Sequence, residues 1–297
     1  MRRLLAIVNA AAGGAGDDDV VADIMTVLHE HADTAEVRLD DPGALAKALD
    51  EHPDRDPVVL GGDGTLHTLV ATLSERDELA TRTVGLIPLG TGNDLARGLG
   101  IPLDPVEAAR AAASGRPRPL DLLRDDEGGI VVNAVHIGVG VEAARTATPL
   151  KPVLRRFAYA VGSLVAGART KGLPLKVEVD GQVVADGRRR VLMVGIGNGT
   201  SIGGGTPLTP DARPSDGLAD VVVSFATGPL QRLMYGVLLK LGRHTERPEV
   251  VTVRGTRVHV SGPDLHVNAD GELTGPHAAR TWTVEPHAWR MVAPQAA

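Results

Sequence analysis

The chain has 297 residues, 43% of them apolar, which is long enough for two globular domains of ordinary size. Its formal net charge of −6 argues against nucleic acid as a partner, because no excess of cations is available to neutralise phosphates. Since cysteine is absent, a disulfide, a thiolate nucleophile and a cysteine-ligated zinc are all excluded, and a cytoplasmic location is expected.

The first half of the chain alternates strand-like and helix-like segments. The apolar run Leu4–Val8 stops at Asn9, too early for a signal sequence, so we expect a buried strand there. Further strands are predicted at Glu36–Leu39, Val58–Leu60 and Val84–Pro88, and helices at Val20–Leu28, Ala44–Leu49, Thr65–Leu73, Gly92–Leu99 and Pro105–Ala113. This alternation predicts an α/β N-terminal domain over residues 1–122, with a doubly wound, mainly parallel sheet.

After Asp121 the alternation gives way to short strand-like runs, several of them joined by Asp-Gly turns. Strands are predicted at Ile130–Val135, Leu175–Asp180, Val183–Asp186, Val191–Ile196, Ala219–Phe225, Val250–Arg254, Thr256–Ser261, Leu265–Ala269 and Arg280–Val284. Long helices are expected only around residues 152–168 and 229–241. We therefore expect a β-rich, antiparallel, sandwich-like second domain over residues 123–290. Residues 291–297 would form a C-terminal tail that could return to the first domain.

Two stretches carry no carboxylate although the chain is acidic overall. Residues 143–177 contain seven Lys or Arg, and the only Lys or Arg of residues 221–245 are Arg232, Lys240 and Arg243. Apolar residues flanked by cations suit an anionic membrane surface, but two ordinary helices with cationic solvent faces would have the same composition. No segment approaches the roughly 20 apolar residues that span a bilayer, so a soluble or at most peripheral protein is expected.

Two glycine-rich turns each follow a predicted strand and precede a predicted helix. They read Leu-Gly-Gly-Asp-Gly-Thr at residues 60–65 and Pro-Leu-Gly-Thr-Gly-Asn-Asp at residues 88–94. Glycines let main-chain N–H groups approach a phosphate, and the N-terminus of the following helix adds a favourable dipole. Two such turns in tandem predict a nucleotide site at the ends of adjacent strands.

The polar residues of these turns each allow two interpretations. Asp63 could face a metal ion or a transferring phosphate, or it could cap the helix that follows it. Thr65 and Thr91 could donate hydroxyls to phosphate or act as caps, and Asp94 could hold the two loops in register. The first loop, residues 9–16, contains no Lys or Arg, which excludes a Walker-type P-loop.

Carboxylates also mark two turns of the second half. Asp270 and Glu272 flank a glycine, and either could take the proton of a phosphoryl-acceptor hydroxyl, although Asp-Gly-Glu is also a common turn. Asp216, in the loop 211–218, could ligate a divalent ion together with main-chain carbonyls, or could belong to a plain loop.

In order along nearly the whole chain, these motifs resemble the diacylglycerol kinase catalytic-domain family. The likeness is greatest to its bacterial soluble lipid kinases, which are related to sphingosine and ceramide kinases. The segments that carry the resemblance are residues 61–67, 87–97, 198–205, 210–220 and 267–272. The pair Gly-Gly-Asp-Gly-Thr and Pro-Leu-Gly-Thr-Gly-Asn-Asp is its most specific part.

The resemblance implies an ATP- and Mg²⁺-dependent lipid kinase with ATP in the cleft between the domains. It would transfer the γ-phosphoryl group to a hydroxyl of diacylglycerol or a similar lipid, in transient contact with the inner face of the membrane. Glu272, or else Asp270, would be the base, and Asp63 would organise the phosphates. Mg²⁺ would be held by Asp216 with the main chain at Arg213 and Leu218. The residues implied around the nucleotide are Asn9, Ala10, Ala11, Ala12, Gly13, Gly61, Gly62, Asp63, Gly64, Thr65, Leu66, His67, Gly90, Thr91, Asn93 and Asp94.

The sequence departs from the family pattern near the expected nucleotide. Ala10 stands where Pro is usual, Ala12 where Ser is common and His67 where Asn is common. Two alternatives remain. A NAD kinase-like enzyme shares the first glycine loop but not Gly-Thr-Gly-Asn-Asp, and a non-enzymatic lipid-binding or regulatory protein on the same fold would not need the intact carboxylates. A homodimer is compatible with the sequence but not indicated by it.

Overall fold

The structure is a computed structural model that describes residues 1–9, 18–39, 43–138, 141 and 172–294. The chain forms two compact units, Met1–Asp121 with His287–Ala297, and Leu122–Pro286. The predicted helix at 152–168 lies outside the described residues, as do the predicted nucleotide-site residues Ala10, Ala11, Ala12 and Gly13.

The first unit is a parallel sheet with helices along its connections. Its strands are β1 (Arg3–Val8), β2 (Asp33–Arg38), β3 (Asp56–Gly61) and β4 (Thr83–Pro88), in the order β4-β3-β1-β2. Its helices are α1 (Asp18–His31), α2 (Ala44–Glu51), α3 (Asp63–Glu75), α4 (Asp94–Leu99) and α5 (Pro105–Ser114). Near the C-terminus, Arg290 and Met291 pair in parallel with β4. The predicted α/β class with a mainly parallel sheet is confirmed.

Strands β1, β3 and β4 are buried on both faces, which explains why they read as continuous apolar runs, whereas the edge strand β2 is polar and partly exposed. Helices α1 and α5 pack together against β1, and α5 presents four small side chains that allow a close approach. Its N-terminus is capped by the carboxylate of Asp104, which accepts the N–H of Glu107 at 2.9 Å. The core side chains shared by these elements include Leu4, Val8, Ile24, Leu28, Ala108, Ala109, Ala112 and Ala113.

The second unit is an antiparallel β structure. Its strands are β5 (Pro117–Asp125), β6 (Ile130–Val131), β7 (Ala134–Gly138), β8 (Lys176–Val179), β9 (Gln182–Asp186), β10 (Met193–Gly197), β11 (Ser201–Ile202), β12 (Thr206–Pro207), β13 (Ala219–Ser224), β14 (Val250–Gly255), β15 (Arg257–Ala269) and β16 (Glu272–Val292). Five of them pair in the order β14-β13-β10-β7-β15. Strand β15 also pairs with β16 and β8, and β8 pairs with β9. The predicted antiparallel, β-rich class is confirmed.

Several strand boundaries differ from the prediction. The segment Ile130–Val135 is not one strand but parts of β6 and β7, because the N–H groups between them bind a carboxylate from another turn. The segments Thr256–Ser261 and Leu265–Ala269 belong to the single long strand β15, whose register shifts between them. Strand β5 was not predicted, because it lies where the alternating pattern of the first half ends.

The second unit contains the α-helix α6 (Pro229–Lys240), followed by a 3-10 turn at His244–Glu246. Tyr235 and Leu239 of α6 are buried against a cluster that includes Leu208 and Val222. None of the helices within the described ranges is both long and apolar enough to cross a bilayer.

Candidate active site

The two glycine-rich loops lie side by side in the first unit, because β3 and β4 are adjacent parallel strands. The register places Gly61 opposite Pro88, and the N–H of Leu89 donates to the carbonyl of Gly61 at 2.9 Å. The main chains meet at Gly62 and Gly90, where a Cβ built on Gly90 would lie 2.5 Å from the Cα of Gly62. This contact requires glycine at position 90, since no side chain fits between the two backbones.

Asp63 joins the start of α3 to the start of α4. Its carboxylate accepts the N–H of Asp94 at 3.1 Å and the N–H of Leu95 at 3.3 Å. The first N–H groups of a helix have no partner within the helix, and Asn93, the residue before α4, gives it no side-chain cap. Asp63 therefore caps the neighbouring helix, whereas the sequence suggested a cap on its own helix.

Asn93 fixes the shape of the second loop. It has a left-handed backbone conformation with φ 51°, which Asn tolerates better than most residues. Its side-chain N–H donates to the carbonyl of Gly90 at 2.8 Å. Its Oδ1 is buried and accepts no hydrogen bond from the described residues. An acceptor without a donor therefore lies directly beside the contact of the two loops.

Asn9, which follows β1, reaches the first turn of α3. Its side-chain N–H donates to Oγ1 of Thr65 at 2.9 Å. Because the Thr65 oxygen is the acceptor in this bond, its own hydroxyl proton remains available to a ligand. The geometry thus suits the predicted role of Thr65 as a hydroxyl donor.

The first turn of α3 is open on its outer side. Gly64 is exposed, and a Cβ built on it would meet no atom within 4 Å. Thr91 of the second loop is exposed as well, whereas the side chain of Leu66 is buried in the core, so Leu66 can reach a ligand only through its main chain. His67 is partly buried. The open turn fits phosphate groups, which main-chain N–H groups of a helix N-terminus can bind.

Arg97 brings a cation to the second loop, and the sequence analysis had not assigned it a role. Its Nε donates to the carbonyl of Gly92 at 3.3 Å, and its side chain is exposed. The sequence signal was a cation at the fourth residue of α4, one turn after the loop.

In the second unit, Asp270 holds the loop between β6 and β7. Its carboxylate accepts the N–H groups of Val132 at 2.6 Å, Asn133 at 3.0 Å and Ala134 at 2.9 Å. The N–H of Asp270 itself donates to the carbonyl of Ala134 at 3.0 Å. Both carboxylate oxygens are therefore used to shape the protein.

The same loop is held from its other side by Asn198, which the sequence analysis noted only as part of a resembling segment. The side-chain N–H of Asn198 donates to the carbonyl of Val132 at 2.7 Å, and the main-chain N–H of Asn198 donates to the carbonyl of Asn133 at 2.9 Å. A Cβ on Gly199 would lie 2.0 Å from Oδ1 of Asn133, so a larger residue there would displace the Asn133 side chain. Asn133 and Asn198 are supporting residues that pattern alone did not reveal.

Unlike the carboxylate of Asp270, the carboxylate of Glu272 does not hold another loop of the protein in place. It is exposed at the start of β16. The turn before it is closed by a hydrogen bond of 3.0 Å from the N–H of Gly271 to Oδ1 of Asn268. No hydrogen bond or ion pair joins the side chain of Glu272 to any described residue. Of the two carboxylates that the sequence left open as the base, Glu272 is the one whose oxygens are not committed to the fold.

The residues predicted to hold a metal ion do not form a cage of oxygen ligands. One oxygen of Asp216 is ion-paired with Arg254, and the other accepts the N–H of Leu218 at 3.2 Å. The carbonyl of Arg213 accepts the N–H of Ser215 at 2.8 Å. Among the described residues, no group of three or more His, Cys, Asp or Glu could bind a metal. The arrangement does not fit Mg²⁺, because a guanidinium already neutralises the carboxylate that would bind it.

Asp220 lies on the other side of Arg254. Its carboxylate accepts the Nε of Arg254 at 3.2 Å. Burial raises the pKa of Asp220 above its usual value, Arg254 opposes that shift, and the nearby charges of Asp216 and Asp211 add to it. Arg254 therefore serves two carboxylates at this turn.

Two family models match the chain, one in each half. Residues 3–124 match the family model of the diacylglycerol kinase catalytic domain, and residues 133–293 match that of the YegS C-terminal NAD kinase beta sandwich-like domain. The chain is 34% identical over 249 residues to the "Probable lipid kinase YegS-like" of Stenotrophomonas maltophilia, covering 81% of this chain and 78% of that protein. It is 31% identical over 265 residues to the diacylglycerol kinase of Mycobacterium tuberculosis, covering 85% of this chain and 79% of that protein.

A solved diacylglycerol kinase structure from Bacillus anthracis str. Sterne has the same fold, with a TM-score of 0.76 at 24% identity over 99% of this chain and 97% of that one. An NAD kinase from Archaeoglobus fulgidus is a more distant neighbour, with a TM-score of 0.52 at 14% identity over 98% of this chain and 93% of that one. Together the matches define a kinase built of two domains. The chain belongs to the diacylglycerol kinase catalytic-domain family, and it is a lipid kinase.

Proposed function

We propose that the enzyme transfers the γ-phosphoryl group of ATP, supplied with Mg²⁺, to a hydroxyl of diacylglycerol or a similar lipid. The observation that carries the proposal is the pair of glycine loops in contact at Gly62 and Gly90, with an open helix turn beside them. The names of the relatives, a diacylglycerol kinase and a lipid kinase, support the choice of acceptor.

The nucleotide would be held by the first unit. Main-chain N–H groups at Asp63 and Gly64 would bind phosphate oxygens, and the hydroxyl of Thr65 would donate to them. Arg97 would add a positive charge that the glycine loops themselves lack. Asn93 would keep the second loop in shape, since its side-chain N–H donates to the carbonyl of Gly90 at 2.8 Å.

Asp63 would act as a positioning residue. Both of its oxygens are used to cap α4. It would therefore serve the reaction by keeping the two loops at a fixed distance, so that the N–H groups and the Thr65 hydroxyl point at the same phosphates. This replaces direct contact between Asp63 and the phosphates, which the sequence had suggested.

Glu272 would be the general base. As the lipid oxygen forms its bond to the γ-phosphorus and the bond to the β–γ bridging oxygen breaks, Glu272 takes the hydroxyl proton and ADP leaves with the electron pair. Asp270 would position the turn that carries Glu272. The Mg²⁺ ion enters with ATP as part of the substrate, and no role in the reaction is proposed for the loop at Asp216.

The test is transfer of labelled γ-phosphate from ATP to a panel of lipids in mixed micelles, with NAD as a control acceptor. Label in diacylglycerol or another hydroxylipid is expected. Label in NAD alone would replace this proposal with the NAD kinase alternative, and ATP binding without any transfer would favour a regulatory protein.

Two variants test the roles of the carboxylates. Glu272→Gln should lower the rate at least about a hundredfold, the scale of losing a general base, with no change in thermal unfolding. Asp270→Asn keeps one acceptor oxygen but loses the charge, so it should lower the midpoint of unfolding as well as the rate. A Glu272→Gln enzyme with a near-wild-type rate would exclude Glu272 as the base.

A further inference from the structure

Helix α6 has two apolar faces, of which one is exposed. Arg232, Tyr235, Gly236 and Leu239 form the buried face. The exposed face comprises Leu230, Leu233, Met234 and Val237 together with Leu241 just after the helix, with exposed fractions of 72%, 55%, 38%, 49% and 63%. At about 100° of turn per residue, these five positions fall within an arc of about 100° on the side opposite the buried face. We call this set of five residues the α6 apolar face.

An exposed apolar face of this kind is costly in water unless something covers it. Single exposed leucines are normal on protein surfaces, but a contiguous group marks a site of interaction with a protein or a membrane. Five of the ten large hydrophobic residues that are exposed in the described part of the chain belong to this one face. The clustering is therefore a property of α6 and not of the surface in general.

The charges around the α6 apolar face indicate which kind of partner covers it. Residues 221–245 contain no Asp or Glu in a chain of net charge −6. Arg232 is buried and Arg243 is paired with Glu246, whereas Lys240 forms no ion pair with the described residues. The edge of the face thus carries a positive charge that is not neutralised. Such an edge complements an anionic lipid surface.

Two other occupants fit the charge less well. A second copy of the chain, packed through the same face, would bring a second Lys240 and no carboxylate from residues 221–245 to pair with it. Residues 143–177 of the same chain are themselves free of Asp and Glu and contain seven Lys or Arg, so they offer no opposite charge. An anionic bilayer offers both apolar interior and negative head groups.

We propose that the α6 apolar face docks on an anionic membrane surface, with its leucine, methionine and valine side chains among the acyl chains and Lys240 at the head groups. This inference deepens the proposed function, because an enzyme that phosphorylates a membrane lipid must reach the bilayer where that lipid is dissolved.

The experiment is sedimentation of the full-length protein with vesicles of phosphatidylcholine alone, or of equal parts of phosphatidylcholine and phosphatidylglycerol, without ATP. The double variant L233Q/V237Q should bind the mixed vesicles at least about tenfold less than wild type, and Lys240→Gln should weaken binding only to the anionic vesicles. Val183→Gln is the matched control, because Val183 is 54% exposed on β9, away from this helix, and its binding should equal wild type.

Two results would overturn the proposal. One is equal vesicle binding by wild type and L233Q/V237Q. The other is a wild type that is dimeric in light scattering and a double variant that is monomeric, since a second copy would then be the occupant.

Phosphorylation of a short-chain, monomerically dispersed diacylglycerol separates this proposal from the proposed function. L233Q/V237Q should keep that activity while losing activity on vesicles. If the wild type phosphorylated no lipid and the double variant still lost vesicle binding, the docking face would be supported and the proposed acceptor refuted.

Discussion

The carboxylate of Asp63, in the first turn of α3, accepts the N–H of Asp94, the first residue of α4, at 3.1 Å. A single side chain therefore connects two loops that are 31 residues apart in the sequence. The bond complements the contact of Gly62 with Gly90, and the two together fix the relative position of the glycine loops. The arrangement of the two glycine loops is thus set by the protein's own residues.

Replacing Asp63 tests this connection. Asp63→Ala should lower the free energy of unfolding by about 1 to 2 kcal/mol, the usual cost of losing a helix cap, and reduce lipid phosphorylation at least about a hundredfold. Chemical denaturation and steady-state kinetics with varied ATP measure the two effects. Asp63→Asn retains one acceptor oxygen, so it should recover part of the stability. If Asp63→Ala loses activity with unchanged stability, the capping role is wrong.

The glycines of the loops provide a matched pair of variants. Gly90→Ala would place a Cβ 2.5 Å from the backbone of Gly62, so it should separate the loops and lower the midpoint of thermal unfolding. Gly64→Ala meets no atom within 4 Å and replaces glycine in a helix, so stability should stay the same or rise by about 0.5 to 1 kcal/mol. Its Cβ would enter the space proposed for phosphate, and ATP affinity should fall.

Calorimetry with ATP and thermal unfolding distinguish these outcomes. A Gly64→Ala protein with wild-type ATP affinity would show that phosphate does not approach this turn. A Gly90→Ala protein as stable as wild type would show that the contact of the loops is not important for folding.

The sequence predicted most of the fold because most elements have a strong local signal. The buried strands β1, β3 and β4 are uninterrupted apolar runs, and the glycine loops mark where two of them end. Strand β5 was missed because it lies at the change between two patterns. The division of Ile130–Val135 depends on Asp270, a residue more than 130 positions away, so no local pattern could have shown it.

The sequence indicated the residue types of the candidate site but not their contacts. Asp63 was selected because it lies between glycines at a strand end, and Asp270 because a carboxylate beside a glycine could act as a base. In the structure both carboxylates accept hydrogen bonds from main-chain N–H groups. Which N–H group lies near a carboxylate depends on the packing of distant segments. The ion pair of Asp216 with Arg254 is of the same kind, since 38 residues separate them.

The pair formed by Asp216 and Arg254 gives a prediction about metal. Without nucleotide, addition of EDTA or Mg²⁺ should leave the thermal unfolding of the wild-type protein unchanged, because Arg254 already neutralises the carboxylate. Arg254→Met leaves the buried carboxylate of Asp220 without its cation and should lower the free energy of unfolding by about 1 to 2 kcal/mol. A clear stabilisation of the wild type by Mg²⁺ alone would instead support a metal ion at Asp216.

His136 gives the second unit a defined sensitivity to acid. It lies in β7 opposite Gly195 of β10 and Asn268 of β15, and burial lowers the pKa of His136 from 6.5 to about 4. The unfolded chain therefore binds a proton at a higher pH than the folded chain does. The stability due to the neutral imidazole is present in full above pH 6.5 and is lost progressively as the pH falls toward 4.

His136→Gln should remove the part of the pH dependence of stability that is due to this imidazole, while the part due to all other groups stays the same. Between pH 6.5 and 4, the free energy of unfolding of the wild type should fall more steeply than that of the variant, by up to about 1.4 kcal/mol per pH unit. Urea denaturation of both proteins at several pH values measures the difference. At pH 7 the variant should have a free energy of unfolding no higher than that of wild type. As the pH falls, the difference between the two free energies should shift in favour of the variant. Parallel stability curves across this range would mean that His136 has an ordinary pKa in the folded protein.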